Sequence, residues 1–507
     1  MRLTLALMLV LAPSLASAQA IVASPKPDSV AVTVYRDPDR GAGDAFNLNW
    51  LNGYALISET RRVRIPAGES ELRFEGVAGG IIPQSVIVSG FPGGVVERNR
   101  DALRLSPGTL LDRSLGRRVH LRRTSLATGE VVEQEALIRS GLDGAVVLQT
   151  EDGVEALRCS GQAETLVYDE VPPDLSPRPT LSVLTRSSQA IDATVTLSYL
   201  ATGFDWQANY VATLSPEGDK LDLFAWLTLA NGDETSFAGA RTNAVAGKLN
   251  REHAEVQDLV SRPIRLNCWP EGTTSDTGSP YPPPPAPPPP PPAAMMAPAP
   301  MAERGEDIVV TGARVMKAEL EALGDVKLYR IPEPVTVAAN SQKQVALIEQ
   351  PGVRVEVAYR QRIPAGQDYE SIATRTIVAR NRKAEGLGVP LPAGRLVLFA
   401  NRDGRPLLIG EGSVSDAAVG EDVEIEVGDA PGVRSVQRVV EERKGARRVE
   451  LTVTNDSPAP IRYEAELMTD GANLKADRKL AQRDGRPLWA VTIPANASAT
   501  LRYRVKD

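Results

Sequence analysis

Alternating apolar and polar residues run through most of the chain and predict β-strands. The alternation has a period of two in five segments, at residues 29–35, 194–199, 353–359, 423–427 and 449–453. Such a strand buries one face and exposes the other, because successive side chains point to opposite sides. The pattern predicts a mainly β, multi-domain protein of β-sandwich or small-barrel architecture.

Turn and helix signals complete this outline. Asp403-Gly404 and Asp484-Gly485 separate apolar runs, and Asp-Gly favours the positive φ angles of a tight hairpin turn. Helical patterns are few and short, and residues 315–323 (VMKAELEAL) are the best candidate. Residues 111–121 predict a short helix or turn that enters a strand. The strands that follow it, up to residue 157, are typical of a five-stranded barrel or an added sheet.

The first eighteen residues have the features of a secretory signal peptide. Arg2 precedes an apolar run, and the small residues Ala16-Ser17-Ala18 precede Gln19, which predicts cleavage between Ala18 and Gln19. The run is shorter than the roughly 20 apolar residues of a membrane-spanning helix. We therefore expect a periplasmic, secreted or outer-envelope protein without an integral membrane segment.

The composition bounds the partners and the redox chemistry. The 507 residues carry a formal net charge of −7 with both signs interspersed, which argues against nucleic acid as a partner. Cys159 and Cys268 are the two cysteines. In an oxidising compartment they form either one disulfide or two separate buried thiols.

Proline dominates one segment and a short motif follows it. Residues 270–306 include a run of six prolines and predict a disordered insert in polyproline II conformation. The motif comprises Asp307, Ile308, Val309, Val310 and Thr311 within residues 306–314. It resembles the TonB box of TonB-dependent outer-membrane receptors, which implies contact with TonB by strand addition. The alternative is an ordinary strand that returns the chain to its domain.

Residues 198–210 (SYLATGFDWQANY) begin a series of recognisable positions that continues after the proline tract. The series resembles the bacterial domain of unknown function found in mucoidy-inhibitor-A-like envelope proteins. The resemblance rests on Tyr199, Gly203, Trp206, Tyr210, Asn231, Gly247, Pro392, Gly394, Gly410, Gly428 and Asn455. It implies that the halves on either side of the tract form one domain, and it supplies no catalytic residues. The coiled coil of that family has no counterpart between residues 90 and 170.

This outline predicts an N-terminal β part at residues 21–178 and family β-sandwich domains at 179–269 and 307–507. Tyr199, Trp206, Tyr210 and Trp226 are expected to fill a sandwich core. The alternative for these rings is an exposed platform on which a sugar stacks.

The sequence contains no strong catalytic motif. His120 and His253 are the two histidines, so we expect no metal site and no cofactor. Asp205, beside Trp206, is the first carboxylate to test for glycoside hydrolysis, and a turn-capping role is its alternative. The sequence favours a non-catalytic envelope module that is structural or binds a protein or glycan. The alternatives are a carbohydrate-active hydrolase with paired carboxylates and an adaptor that engages TonB through residues 306–314.

Overall fold

The protein is mainly β in the computed structural model. The structure describes residues 20–45, 47–91, 95–101, 105–125, 128–140, 146–156, 163–172, 175–247, 317–323, 326–402, 404–443 and 445–506. Thirty strands, one α-helix and two 3₁₀ turns (Pro83–Ser85 and Lys383–Glu385) occur in these residues.

The elements of the first half of the chain are mostly short. The strands before the helix are β1 (Ala20–Ser24), β2 (Ser29–Tyr35), β3 (Tyr54–Ile65), β4 (Gly68–Glu75), β5 (Ile87–Ser89) and β6 (Val95–Asp101). The next elements are α1 (Pro107–Arg113), β7 (Arg118–Thr124), β8 (Val131–Ser140), β9 (Val147–Thr150), β10 (Gly153–Ala156) and β11 (Ala163–Val167). Then come β12 (Thr180–Ser187), β13 (Ile191–Thr202), β14 (Phe204–Leu214), β15 (Lys220–Asn231) and β16 (Phe237–Ala246).

The second half contains the longest strands. It begins with β17 (Glu319–Leu323), β18 (Val326–Arg330), β19 (Val335–Val337), β20 (Ser341–Pro364), β21 (Tyr369–Arg380), β22 (Gly394–Arg402) and β23 (Arg405–Val414). It ends with β24 (Asp422–Arg443), β25 (Ala446–Asn455), β26 (Ile461–Met468), β27 (Asn473–Ala476), β28 (Ala481–Arg483), β29 (Arg486–Ile493) and β30 (Ala497–Lys506).

The described residues divide into two compact units. The first lies within Met1–Asn99, Ser182–Val256 and Met316–Asp507, and the second includes Arg100–Leu181. The first unit contains a four-stranded sheet in the order β1-β4-β12-β6 and an eight-stranded sheet with the path β17-β18-β16-β2-β3-β13-β5, which β19 joins through β16. Strands from both sides of the proline tract pair in the second of these sheets, since β16 is hydrogen-bonded to β18.

The largest sheet of the first unit has thirteen strands. Its path is β23-β22-β14-β15-β20-β21-β24-β25-β30-β27, and β26, β28 and β29 branch from it. Strand β20 pairs with β15 in its first half and with β21 and β26 in its second half. Side chains from β25, β26, β29 and β30 meet in one core, where the rings of Tyr463 and Trp489 lie 5.8 Å apart.

The second unit has its own small core. Its sheet runs β10-β9-β8-β7-β11, an open arrangement with β10 and β11 at the edges rather than a barrel. Helix α1 starts at a capping box in which the Ser106 hydroxyl accepts a hydrogen bond from the Thr109 backbone N–H. Leu111 of this helix packs on Val119, Leu121, Ile138 and Leu148. The predicted helix-to-strand segment is thus confirmed, and the sheet rather than the barrel is the correct alternative.

The predicted strands are confirmed, and one predicted helix is wrong. The alternating segment at 29–35 coincides with β2, and the other four lie inside β13, β20, β24 and β25. The Asp484-Gly485 turn has φ angles of 47° and 76° and joins β28 to β29. In the described part of 315–323, residues 319–323 form β17 instead of a helix and pair antiparallel with β18 along their whole length. Cross-strand pairing here overrides the helix propensity of Glu, Leu and Ala.

Candidate functional site

Three of the four aromatic residues singled out in the sequence lie in the core. Tyr199, Trp206 and Tyr210 are each at most 1% exposed. Their polar atoms are satisfied inside the protein: Tyr199 Oη donates to Glu59 Oε1 (2.7 Å), Trp206 Nε1 to the Val245 carbonyl (2.9 Å) and Tyr210 Oη to the Pro392 carbonyl (2.6 Å). A sugar therefore has no access to these rings.

The other residues of the resemblance occupy turns and close backbone contacts. Asn455 Nδ2 donates to the carbonyls of Ala459 and Pro494, both at 2.9 Å, and Asn231 Nδ2 donates to the Thr235 carbonyl at 3.0 Å. Positive φ angles occur at Gly203, Gly247 and Gly428. A Cβ atom would lie 1.9 Å from a backbone oxygen at Gly394 and 2.3 Å from one at Gly410.

Asp205 is enclosed rather than placed in an open groove. It is 2% exposed, and its Oδ1 accepts hydrogen bonds from the backbone N–H groups of Asp37 (3.0 Å) and Trp206 (2.7 Å) and from Arg40 Nη2 (3.1 Å). Burial raises the pKa of Asp205 to about 6, against the opposing effects of Arg40 and the two N–H donors. Its contacts anchor Asp37 and Arg40, which follow β2, and they argue against a catalytic role.

Trp226 lies on the outer side of the large sheet, so the prediction that it fills the core is wrong. In β15 the side chains of Leu221, Leu223, Ala225 and Leu227 are buried, whereas the intervening Phe224 and Trp226 are only partly buried. The Phe224 and Trp226 rings are 4.8 Å apart in an edge-on arrangement. The sequence already indicated the outward position of Trp226. Residues 220–227 alternate strictly, so Trp226 and the leucines point to opposite sides of the sheet.

The neighbouring strands extend this outer surface. Register pairs Val211 of β14 with Phe224 on one side and with Val397 of β22 on the other, and it pairs Thr213 with Phe399. Val211 is 36% exposed, and Val397 and Phe399 are partly buried. We call this surface the aromatic face and define it as Asn209, Val211, Phe224, Trp226, Val397 and Phe399.

A chain of polar side chains ends beside Trp226. Arg40 Nη1 donates to Gln207 Oε1 (2.8 Å), and Gln207 Nε2 donates to Asn209 Oδ1 (3.3 Å). The Thr228 hydroxyl also donates to Asn209 Oδ1, at 2.7 Å. Asn209 is the register partner of Trp226. Sequence reasoning missed Arg40, Gln207 and Asn209, because only the pairing of β14 with β15 places them beside the rings.

Charged groups border the aromatic face directly, and Arg395 of β22 is the register partner of Asn209. At one side Arg395 Nη2 lies 3.6 Å from Glu411 Oε2, and both side chains are largely exposed. Exposed Asp222 and Glu349 border Phe224. The six residues that define the face are neutral, so it favours a neutral ligand.

A concave region of the first unit, separate from the aromatic face, is highly charged. It is a cavity of about 300 Å³ lined by residues of β20, β21, β24, β26 and β28 and by Glu385. At its centre Glu464, 2% exposed, accepts hydrogen bonds from Arg360 Nε (2.8 Å), Arg483 Nη2 (2.8 Å) and Arg462 Nε (2.9 Å). Burial by itself would raise the pKa of Glu464, but the three guanidinium groups outweigh it and hold that pKa below its usual value. An ionised, triply paired carboxylate is unsuited to general acid catalysis.

The described residues contain no group of three or more His, Cys, Asp and Glu side chains arranged to hold a metal ion. His120 Nε2 contacts Asp169 Oδ1 at 3.1 Å on the surface of the second unit. None of the helices in the described part of the chain has the length and apolar character needed to cross a membrane.

Several predicted features lie outside the described residues. They are the cleavage site at Ala18 and Gln19, Cys159, Cys268, His253, the insert at 270–306 and the TonB-box-like residues Asp307 to Thr311. The disulfide, the cleavage and the TonB contact stay predictions.

Comparison with known proteins adds no name to this site. No family model matches the chain, and no curated protein matches it. The resemblance to mucoidy-inhibitor-A-like envelope proteins therefore stays a prediction.

Proposed function

We propose that the mature chain is a non-catalytic, exported module that binds a component of the bacterial cell envelope through the aromatic face. One observation carries this proposal. The rings of Phe224 and Trp226 are only partly buried and lie beside the exposed Val211, and all three side chains are neutral. Aromatic side chains are enriched at binding surfaces, whereas charged ones are depleted from their centres.

A second outer surface of the same sheet provides a contrast. Across β25 and β30, Glu450 pairs with Arg502 at 3.1 Å, and the Thr452 and Thr500 hydroxyls lie 3.0 Å apart. Such a charged and hydroxylated surface is typical of a face that is simply solvated. The aromatic face differs from this surface because it exposes aromatic rings to solvent in place of charged and hydroxyl groups.

The hydrolase alternative has less support. Asp205 is enclosed beneath Asp37 and Arg40, and Glu464 is held ionised by three arginines. Neither carboxyl group combines solvent access with the raised pKa that a general acid needs. The TonB adaptor alternative depends on residues 306–314, which lie outside the described residues.

The test is retention of envelope material by the immobilised mature chain. Val211→Asp places a charge in the neutral face, and Val154→Asp, at a valine that is 72% exposed in the second unit, is the matched control. As a folding control, both variants must show the circular dichroism spectrum and the thermal unfolding midpoint of the unsubstituted chain before retention is measured. We expect Val211→Asp to lower retention at least about tenfold, equivalent to about 1.4 kcal/mol, and Val154→Asp to leave it unchanged. Equal retention by the Val211→Asp variant, or no retention by the unsubstituted chain, would overturn the proposal.

A further inference from the structure

We propose that the ligand of the aromatic face is a neutral oligosaccharide. One sugar ring stacks on Trp226, and a hydroxyl of that sugar accepts a hydrogen bond from Asn209 Nδ2. This inference rests on the proposed function and names the ligand class for the same site.

The orientation of the Asn209 amide follows from its neighbours. Arg40 only donates hydrogen bonds, so the Gln207 atom that it contacts at 2.8 Å is the amide oxygen. Gln207 consequently directs its amide nitrogen at Asn209, and the Asn209 atom that receives this bond is Oδ1. The Thr228 hydroxyl, to which Gln344 Nε2 donates at 3.2 Å, donates to that same oxygen.

Asn209 Nδ2 is a group that the described residues leave for a ligand. Nδ2 makes no hydrogen bond to any of the described residues, and the Asn209 side chain is partly exposed. It therefore presents two N–H donors on the same side of the sheet as Trp226, its cross-strand partner. A fixed donor beside an aromatic ring suits a molecule with C–H groups on one side and hydroxyl groups at its edge.

A sugar ring has this combination of groups. Its axial C–H bonds carry partial positive charge and are attracted to the negative face of an aromatic ring, while its hydroxyls accept and donate hydrogen bonds. Charge complementarity points the same way, because the defining residues of the face are neutral and Arg395, the register partner of Asn209, lies 3.6 Å from Glu411, which carries the opposite charge. A purely apolar protein surface would leave the Asn209 donors without a partner on binding, and a buried donor without a partner is unfavourable.

Arg36 and Arg40, which follow β2, support the polar end of the site. Arg40 donates to the Trp206 carbonyl at 2.6 Å in addition to Gln207, and Arg36 Nη1 donates to Asp416 Oδ1 at 3.0 Å. These contacts hold Arg36 and Arg40 against β14 and the residues that follow β23. The donor chain to Asn209 thus starts from an anchored arginine and is in place before a ligand arrives.

The experiment titrates the mature chain with N-acetylglucosamine tetramer, cellotetraose and maltotetraose and follows tryptophan fluorescence and calorimetric heat. Asn209→Asp keeps the oxygen that accepts from Gln207 and Thr228 but removes the two outward donors. Asn401→Asp, at an exposed amide of β22, adds the same charge outside the face and serves as control. We expect binding of at least one tetramer, an approximately tenfold weaker affinity for Asn209→Asp, no fluorescence response in Trp226→Phe and no change in Asn401→Asp.

A second arm separates this inference from the proposed function. Before it is applied to the immobilised chain, envelope material is treated with periodate, which cleaves sugar diols, or with protease, and the reagent is then removed or inactivated. Loss of retention after periodate alone is the expected result. Loss after protease alone would identify a protein partner and overturn the glycan inference while the binding function stands. Failure of all three tetramers together with periodate-resistant retention, or unchanged affinity in Asn209→Asp, would also overturn it. Absence of any retained material would overturn both proposals.

Discussion

At the scale of single residues, buried charges are held by specific partners. Arg61 and Glu59 are both fully buried. Arg61 Nε donates to Glu59 Oε2 at 2.8 Å, and Arg61 Nη1 donates to the Ser24 carbonyl at 2.6 Å. An unpaired buried charge is costly. Arg61 therefore stabilises the contact between β3 and β1, since its buried guanidinium group is paired with Glu59 and the Ser24 carbonyl.

Asp205 gives a testable pH dependence. Its pKa in the folded chain, about 6, lies above its ordinary value of 3.8, so the folded state binds the proton more tightly than the unfolded chain does. The resulting stabilisation is complete below about pH 3.8 and is lost as the pH rises through 6. We expect this group to lower the free energy of unfolding by about 1 kcal/mol between pH 5 and pH 7.5.

Urea unfolding of the Asp205→Asn variant measures this contribution. Asn retains an oxygen for the three donors but does not titrate, so the stability of the variant relative to the unsubstituted chain should rise by that amount over the same pH interval. Asp192→Asn, at an exposed position of β13, is the control and should show no such trend. A pH-independent difference between Asp205→Asn and the unsubstituted chain would contradict the assignment.

At the scale of elements, the parallel pairing of β14 with β22 determines the aromatic face. This pairing aligns residues 208–214 with residues 394–400. Gly394 permits it, because a Cβ atom there would lie 1.9 Å from the Ala208 carbonyl oxygen. The two backbones approach each other too closely at this point for any side chain.

Gly394→Ala should therefore separate the start of β22 from β14. We expect a loss of about 3 kcal/mol in the free energy of unfolding, measured in urea, because the added methyl group overlaps backbone that cannot rotate away. Gly432→Ala in β24 is the matched control, since a Cβ atom there meets nothing within 4 Å, and it should change stability by less than about 0.5 kcal/mol. Equal effects of the two substitutions would show that the close approach at Gly394 is relieved without cost.

At the scale of the whole molecule, the two compact units have separate cores. Ile138 lies in the core of the second unit, and Val453 lies in the core shared by β25, β26 and β30 of the first. Both side chains are fully buried. Separate cores are expected to open separately, because each unit loses protection only when its own packing fails.

Amide hydrogen exchange tests this expectation. Ile138→Ala should destabilise the five-stranded sheet by about 3 kcal/mol and raise exchange in β7, β8 and β9 while exchange in β25 and β30 stays unchanged. Val453→Ala should have the reverse effect. Increased exchange in both units after either substitution would show that they unfold as one cooperative body.

The sequence by itself determined the fold class and many strand positions. Residues 29–35 alternate so regularly that their strand was predictable to the residue, because burial on one side of a sheet imposes a period of two. The Asp484-Gly485 turn was equally readable, since its positive φ angles demand particular residues. The strand at residues 319–323 could not be predicted from the sequence. It depends on pairing with β18, and local helix or strand propensity carries no information about that pairing.

Only the tertiary structure decided which residues share a surface. The leucines of β15 face the core, so Trp226 faces outward. The order β22-β14-β15 brings Asn209 of β14 beside it and places Val397 on the strand after that, opposite Val211. About 170 residues separate Trp226 from Val397 along the chain. No periodicity along the sequence indicates that β14 pairs with β15 and β22. Alternation depends only on the two sides of one strand, whereas strand order depends on the free energy of packing the whole sheet.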